Sequence, residues 1–255
     1  MIRVAAVGDV HFGTDSSGTL RPHLEQLKDS ADVLLVAGDL TRHGHPDEAE
    51  VIADELEDLP VPVISVLGNH DYHYGKPEAV TASLVKRGVT VLEGESTSLQ
   101  LAGARVGIAG IKGFGGGFID ASGADFGEPE MKAFIRHTKL QAARLEAALE
   151  SLDSADLVLV LLHYSPIRET LHGEPPQIFP FLGSYLLAEP IDRLGAHLIL
   201  HGHAHRGRER GTTPRGIPVR NVSQPVIGQA YSVYCLSAGS RDGSTSEACE
   251  EHIPT

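Results

Sequence analysis

The apolar run Val63-Ile64-Ser65-Val66-Leu67 passes directly into Gly68-Asn69-His70-Asp71. The run predicts a buried strand, and the four residues after it lie where that strand gives way to a loop. In open α/β sheets, functional side chains gather at such carboxyl ends of strands. A carboxamide, an imidazole and a carboxylate offer a metal ligand, a proton donor and a group that orients the donor. The same four residues also make a good turn, so this motif alone leaves both interpretations open.

Four more strand-like runs end in residues of the same kind. They are Asp9 and His11 after residues 2–7, Asp39 after 32–37, His163 after 156–162, and His201, His203 and His205 after 196–200. In extended backbone, residues two apart point the same way, so Asp9 with His11, and the three histidines of the last motif, are expected to face one side. A loop that caps a helix or turn is the alternative at Asp9 and Asp39. Five repeats of one pattern favour a metal site over capping loops.

Helical patterns separate these runs. They cover residues 19–30, 46–59, 77–87, 128–152 and 184–194. The first half therefore alternates as β-α-β-α-β, which is typical of a parallel sheet. A strand at 89–92 and a hairpin of 98–101 with 104–109 add antiparallel pairing. Strands near 217–222 and 231–236 close the sheet. We predict an α/β fold with mixed sheets in a single domain, residues 1–255. Loops at about 110–128 and 164–182 would form a rim or lid, and 238–255 a polar tail.

The composition is that of an ordinary globular protein. The chain has 255 residues, with 41% hydrophobic and 22% charged. A net charge of −13 disfavours a nucleic-acid partner. With only Cys235 and Cys249, no signal-type start and no run of 18 apolar residues, we predict a cytoplasmic location and no membrane partner.

The strand ends together supply seven oxygen and nitrogen donors, with His70 and His201 in reserve; the alternative for His201 is a strand residue whose ring is satisfied by a backbone carbonyl. The seven are Asp9, His11, Asp39, Asn69, His163, His203 and His205. Two ions that share a bridging carboxylate would use all of them, whereas one catalytic ion needs fewer. A donor set without thiolate suits Mn²⁺ best, with Fe or Zn²⁺ as alternatives. Two such ions would activate a bridging water, neutralise phosphate oxygens and hold an ester for in-line attack.

The ordered motifs, from Asp9-x-His11 to Gly202-His203-x-His205, resemble the signature of the calcineurin-like metallophosphoesterase superfamily. The resemblance implies a four-layer α/β/β/α sandwich. It also implies that Asp9, His11 and His205 hold the first metal, that Asn69, His163 and His203 hold the second, and that Asp39 bridges the two. His70 would be the general acid that protonates the leaving group, and we expect Asp71 to fix its tautomer and favour its charged form.

One motif narrows the choice within the superfamily. Protein phosphatases carry Gly-Asp-x-Val-Asp-Arg-Gly, whereas this chain reads Gly38-Asp39-Leu40-Thr41-Arg42-His43-Gly44. That form is more similar to small bacterial members that act on phosphodiesters, including the cyclic-nucleotide phosphodiesterases. We therefore predict a diesterase acting on a small-molecule phosphate ester through a bridging hydroxide.

Several alternatives stay open at this point. They are a phosphomonoesterase, a nuclease of the same superfamily and a binding scaffold without catalysis. His43, His45 and His73 flank the motifs and are candidates for substrate contact. The sequence does not fix the oligomeric state.

Overall fold

The computed structural model describes residues 1–237, so the predicted polar tail, 238–255, lies outside the described residues. The strands are β1 (Ile2–Val7), β2 (Val33–Ala37), β3 (Val63–Val66), β4 (Thr90–Val91), β5 (Glu95–Leu101), β6 (Ala104–Ile111), β7 (Gly117–Phe118), β8 (Ala121–Ser122), β9 (Leu157–Leu162), β10 (Leu198–His201), β11 (Arg210–Thr212), β12 (Pro218–Asn221) and β13 (Ser232–Leu236). The helices are α1 (Arg21–Leu24), α2 (Leu27–Ser30), α3 (Pro46–Leu56), α4 (Pro77–Lys86), α5 (Pro129–Glu150), α6 (Phe179–Leu182), α7 (Tyr185–Leu194) and α8 (Gln224–Ile227).

The long strands form two sheets. The first has the order β13-β1-β2-β3-β4, and the second has the order β11-β12-β10-β9-β6-β5. Strands β1 to β4 run parallel, and β13 joins their edge in the antiparallel sense. In the second sheet β12, β10, β9 and β6 are parallel, and β11 and β5 pair antiparallel at its two edges. The predicted mixture of parallel and antiparallel pairing is confirmed.

Three apolar cores separate the layers of the molecule. The central core lies between the sheets and joins Leu35 of β2 to Leu159 of β9. A second core packs α3, through Ile52, on the outer face of the first sheet. A third packs α5 and α7, through Leu145 and Ile191, on the outer face of the second sheet. Helix, sheet, sheet and helix follow in this order, so the four-layer sandwich is confirmed.

Some element boundaries differ from the predicted ones. The helix expected over 19–30 is interrupted between α1 and α2, where the backbone N–H of Asp29 donates to the carbonyl of Gln26, a bond between residues three apart that is typical of a tighter turn. The loop expected at about 110–128 contains the short β7–β8 pair. The loop expected at about 164–182 contains two 3₁₀ turns and α6. Within residues 1–237 no helix combines the length and apolar character needed to cross a bilayer.

The parallel strands end at one edge of the sandwich. Val7 of β1 pairs with Val36 of β2, and Ala37 pairs with Val66 of β3. In the second sheet Leu161 of β9 pairs with Leu200 of β10. The two edges meet where the Ala37 carbonyl accepts a hydrogen bond from Nδ1 of His163 at 2.8 Å. The residues that follow these strands are therefore neighbours in space.

Candidate metal centre

All seven predicted ligands come together at this edge. Asp9, His11, Asp39 and His205 form one group, and Asp39, His163 and His203 form another; within each group one ligand atom per residue lies within 4.8 Å of the others. We call these the first and second groups. Asn69 joins the second group, since its Oδ1 lies 2.9 Å from Nε2 of His163. Asp39 is the member that the two groups share.

The backbone at this edge is not extended, which corrects the expected geometry. Asp9, His11, Asp39 and His203 have φ values of 58°, 45°, 50° and 69°. Few residues other than glycine occupy this left-handed region, and each instance costs about 1–3 kcal/mol, which the surrounding structure must offset. The side chains converge because the chain turns sharply after each strand. Strain of this kind is concentrated at functional sites in proteins.

Two glycines allow the strand ends to approach each other. A β-carbon at Gly68 would overlap Oδ1 of Asp39, and one at Gly202 would overlap Oδ2 of Asp9. Gly68 precedes Asn69, and Gly202 precedes His203. The glycines in these motifs are therefore required by close packing against a candidate ligand.

The second group presents acceptor atoms to one another. Nδ1 of His163 donates to the Ala37 carbonyl, so its Nε2 is an acceptor that faces Oδ1 of Asn69 and, at 3.4 Å, Oδ1 of Asp39. Nε2 of His203 donates in the same way to the carbonyl of Phe181 at 3.2 Å. Backbone carbonyls that orient histidine rings in this manner are typical of metal sites.

Asp39 supplies the test of whether metal ions fit here. Its Oδ2 is buried and has no hydrogen-bond partner among the described residues. Nε2 of His11 lies 3.8 Å from this oxygen and Nε2 of His70 lies 3.9 Å from it, both beyond hydrogen-bond distance. Burial, together with the charges of Asp9 and Asp71, raises the pKa of Asp39 to about 9. A buried carboxylate in this position needs a cation, so the donor set fits divalent metal ions.

Three histidines of the site, His11, His163 and His203, are held in the neutral form that binds metals. Burial lowers the pKa values of His11 and His203, each to about 4. Burial also lowers the pKa of His163 far below its usual value. Asp9 is held in its charged form. Burial alone would raise the pKa of Asp9, but the hydrogen bond with His205 and the nearby histidines keep that pKa below its usual range. At neutral pH His11, His163 and His203 are therefore neutral imidazoles beside an ionised Asp9, whereas the hydrogen bond with Asp9 raises the pKa of His205 above its usual value.

His70 lies over the first group. Its Nδ1 donates to the carbonyl of Arg42 at 2.7 Å, and its ring meets that of His11 with the ring centres 4.5 Å apart. Its backbone N–H donates to Oδ1 of Asp39 at 2.8 Å. Because Nδ1 is occupied, the part-exposed Nε2 is the atom that faces the site.

Asp71 is not the partner of His70, which corrects the expected contact. His70–Tyr72 is a single 3₁₀ turn, in which neighbouring side chains point about 120° apart. The buried carboxylate of Asp71 accepts instead from the backbone of Thr41 at 2.9 Å, the Thr41 hydroxyl at 2.6 Å and the backbone of Gly68 at 2.7 Å. Asp71 therefore ties the loop that carries Asp39 to the turn that carries Asn69 and His70.

Four other histidines have contacts of their own. His201 is buried in β10, where it meets the carbonyl of Gly202 and the hydroxyl of Thr170, each at 2.8 Å. The expectation that it faces the site with His203 and His205 is wrong, because the chain turns after β10. His43 contacts Glu48 at 3.0 Å, and His45 caps α3. The ring of His73 lies 6.2 Å from that of His43.

Lys112 is a feature of the site that the motifs did not single out. It directly follows β6, whose last residue Ile111 pairs with Leu162, so it lies beside His163 at the sheet edge. Its side chain is 7% exposed, and its ammonium lies about 5 Å from the ring centres of Tyr72, Phe114 and Tyr164. In the sequence Lys112 also follows a strand, as the predicted ligands do, but it lies within the glycine-rich residues 110–117, which were predicted as a loop.

The fold and the site together define an α/β sandwich whose strand ends carry two carboxylate and histidine groups that can hold metal ions. The family model of the calcineurin-like phosphoesterases matches residues 2–207. The chain therefore belongs to the calcineurin-like phosphoesterase family, and the resemblance seen in its motifs is confirmed.

Particular relatives agree with this assignment. A probable cyclic nucleotide phosphodiesterase of Synechococcus sp. is 31% identical over 90 residues, a match that covers 31% of this chain and 34% of that protein. The chain thus matches about a third of that relative's length.

Two solved structures are similar in fold. Phosphopantetheinyl hydrolase (PptH) from Mycobacterium tuberculosis has a TM-score of 0.65 and 20% identity, covering 86% of this chain and 88% of that one. TT1561 of Thermus thermophilus has a TM-score of 0.60 and 19% identity, covering 91% and 93%. These likenesses concern the fold alone.

Proposed function

We propose that this chain is a dinuclear-metal phosphodiesterase that acts on small phosphate esters. The observation that carries the proposal is the position of Asp39. Its carboxylate belongs to the first and the second group at once, and its buried Oδ2 has no hydrogen-bond partner among residues 1–237. A carboxylate shared between two ligand groups is the arrangement that a two-metal site requires.

Each ion has a proposed set of ligands. Asp9, His11 and His205 would hold the first, Asn69, His163 and His203 the second, and Asp39 would bridge them. Mixed imidazole, carboxylate and amide donors favour Mn²⁺, with Fe and Zn²⁺ as alternatives. When bound, such a pair neutralises phosphate oxygens and activates a water for attack on phosphorus.

His70 is the proposed general acid. The carbonyl of Arg42 holds the proton on Nδ1, so Nε2 is the atom that would deliver a proton to the oxygen of the departing alcohol. The ring is part-exposed above Asp39, and it can therefore contact a substrate that enters from solvent. Asp71 would act only by positioning, since it fixes the turn that carries His70.

The motif after β2 supports a diester over a monoester. Residues 38–44 lack the second Asp of the protein-phosphatase form, and the guanidinium of Arg42 is paired with Asp15 at 3.1 Å. A phosphomonoester carries up to two negative charges near neutral pH, whereas a phosphodiester carries one and needs fewer cations beyond the two metal ions. The name of the Synechococcus relative is in keeping with a diesterase.

A panel of substrates tests the proposal. The purified protein, loaded with Mn²⁺, should hydrolyse bis-p-nitrophenyl phosphate and a cyclic nucleotide faster than p-nitrophenyl phosphate, and a chelator should abolish all three activities. Turnover of DNA in preference to these compounds would favour the nuclease. Full activity in chelator, or no hydrolysis of any phosphate ester, would contradict the proposal.

A further inference from the structure

An apolar groove of about 430 Å³ lies where the loops at 110–128 and 164–182 meet the start of α5. Its walls include Met131, Phe134, Ile135, Pro180 and Phe181, and no charged side chain lines it. Phe181 is 60% exposed and Met131 is 47% exposed. A contiguous apolar surface of this kind usually marks a binding site. We call it the Phe181 groove.

Hydrogen bonds between the two loops form the groove in advance of any ligand. The backbone N–H of Gly116 donates to the carbonyl of Pro180 at 2.7 Å, and that of Gly117 donates to the carbonyl of Gly183 at 3.0 Å. The hydroxyl of Thr138, on α5, donates to the carbonyl of Gly115. A preformed groove binds a ligand without the cost of ordering its walls.

The groove adjoins the second group. The carbonyl of Phe181 accepts the hydrogen bond from Nε2 of His203, while the ring of the same residue lines the groove. A row of ring contacts runs the same way, from Phe181 through Phe134 and Phe114 to Tyr164, whose ring centre lies 4.4 Å from that of His203. The thickness of one residue therefore separates the groove from a candidate metal ligand.

The groove and the proposed acid border different groups. The ring of His70 meets His11 of the first group, whereas Phe181 contacts His203 of the second. A phosphodiester has two ester groups, and only the one that departs needs the proton of His70. The other ester group is retained on the product, and on the side of the second group the nearest apolar surface that could take it is the groove beyond Phe181.

We propose that the Phe181 groove binds an apolar alkyl or aryl ester group that remains on phosphorus. This inference rests on the proposed phosphodiesterase function. The bond from phosphorus to the departing alcohol breaks, a bond to the oxygen of water forms, and the departing oxygen takes up a proton. The product is then an alkyl or aryl phosphomonoester whose apolar group occupies the groove.

A homologous series of substrates tests the proposal. Methyl, butyl and octyl p-nitrophenyl phosphates share one leaving group and differ only in the retained chain. Each methylene that enters an apolar groove should raise kcat/KM by about two- to fourfold. The concentrations are kept below those at which the octyl ester forms micelles.

Two variants locate the effect. Phe181→Ser removes the ring but keeps the carbonyl that meets His203, and it should flatten the dependence of kcat/KM on chain length, measured as the ratio of octyl to methyl ester within the same variant. Phe126→Ser is the control, because Phe126 is an 83% exposed phenylalanine in the neighbouring loop at 110–128 and does not line the groove. It should keep the wild-type dependence.

Other outcomes have distinct meanings. If kcat/KM depends on chain length equally in Phe181→Ser and Phe126→Ser, or not at all in the wild type, the groove proposal is overturned. Hydrolysis of the methyl ester would still uphold the diesterase. No turnover of any member refutes the diesterase itself. A change of oligomeric state in Phe181→Ser would assign the groove to contact between copies and overturn the proposal. If Phe181→Ser fails to fold, Met131→Ser decides the same question by the same dependence.

Discussion

At the scale of single residues, a backbone carbonyl, and not a carboxylate, sets the orientation of His70. The Arg42 carbonyl holds Nδ1 at 2.7 Å, and Asp71 points into the protein. The sequence places Asp71 next to His70, but adjacency in a 3₁₀ turn separates side chains instead of joining them. The His70 side chain can therefore be replaced without breaking the hydrogen bonds of Asp71.

Replacement of His70 should slow the departure of the leaving group more than the attack of water on phosphorus. An alkoxide leaves poorly unless it is protonated, and a positioned acid is typically worth about 10²–10⁴-fold. Nitrophenolate leaves without such help. We expect His70→Asn to slow a cyclic-nucleotide diester far more than bis-p-nitrophenyl phosphate, with bound metal unchanged. Equal slowing of both substrates would show that His70 positions the phosphate and is not the acid.

Gly68 should not tolerate a side chain. A β-carbon there overlaps Oδ1 of Asp39, so Gly68→Ala must displace a candidate ligand or the turn that carries Asn69. We expect a loss of about 1–3 kcal/mol in the free energy of unfolding together with reduced metal content. Gly75→Ala is the control, since nothing lies within 4 Å of a β-carbon added there and the substitution is strained only by the φ of 73°. Unchanged metal content in Gly68→Ala would refute this packing argument.

At the scale of elements, the carboxylate of Asp71 joins two loops that follow neighbouring strands. It accepts from Thr41 after β2 and from Gly68 after β3. The sequence predicted the strands and the residues at their ends because the apolar runs and their repeated endings are local signals. It did not predict this bond, because the partners of a buried carboxylate depend on how the loops pack.

Asp71→Ala should therefore act on stability. It leaves the backbone donors of Thr41 and Gly68 buried and unpaired. We expect the free energy of unfolding, measured in urea, to fall by about 3–5 kcal/mol. Asp71→Asn keeps an acceptor oxygen and should lose less. The ratio of alkyl to nitrophenyl ester hydrolysis should stay at the wild-type value in Asp71→Asn. A ratio that falls as far as in His70→Asn would restore a direct link between Asp71 and His70.

The sequence pattern also did not predict the left-handed turns after the strands. Strand periodicity predicted that Asp9 and His11 point the same way in extended backbone, yet both have positive φ. They still converge, because a sharp turn after the strand directs both side chains to the same edge. Likewise, alternation grouped His201 with His203, although β10 ends between them and His201 stays in the protein interior. Periodicity fails where the strand ends, which is where the site begins.

At the scale of the whole molecule, the motifs predicted the four layers only through the family resemblance. Hydrophobic patterns such as 156–162 and 196–200 mark strands but do not say which sheet they join. Which strands join which sheet depends on long-range packing in the central core, such as that of Leu35 against Leu159 and its neighbours. The groups that face each other across the sheets, such as Asp39 and His163, are brought together by that packing.

Buried carboxylates should make the stability of the whole molecule depend on cations. Asp39 and Asp9 repel each other in the interior, and an ion that binds only the folded chain stabilises it. We expect Mn²⁺ at a hundredfold excess over its Kd to add about 2.7 kcal/mol to the free energy of unfolding for each ion that binds, and to raise Tm. Ca²⁺ is the control, since it prefers oxygen ligands and should add less. No effect of Mn²⁺ on Tm would contradict the proposed site.

The metal content of Asp39→Asn tests the two-metal account most directly. The exposed Asp29→Asn serves as the matched control, and Asn69→Ala removes a ligand from the second group alone. We predict two Mn²⁺ per chain in the wild type and in Asp29→Asn, about one in Asn69→Ala, and a loss at both sites in Asp39→Asn, because a shared carboxylate neutralises both ions. Two ions bound per chain in Asp39→Asn, with wild-type affinity, would contradict the account.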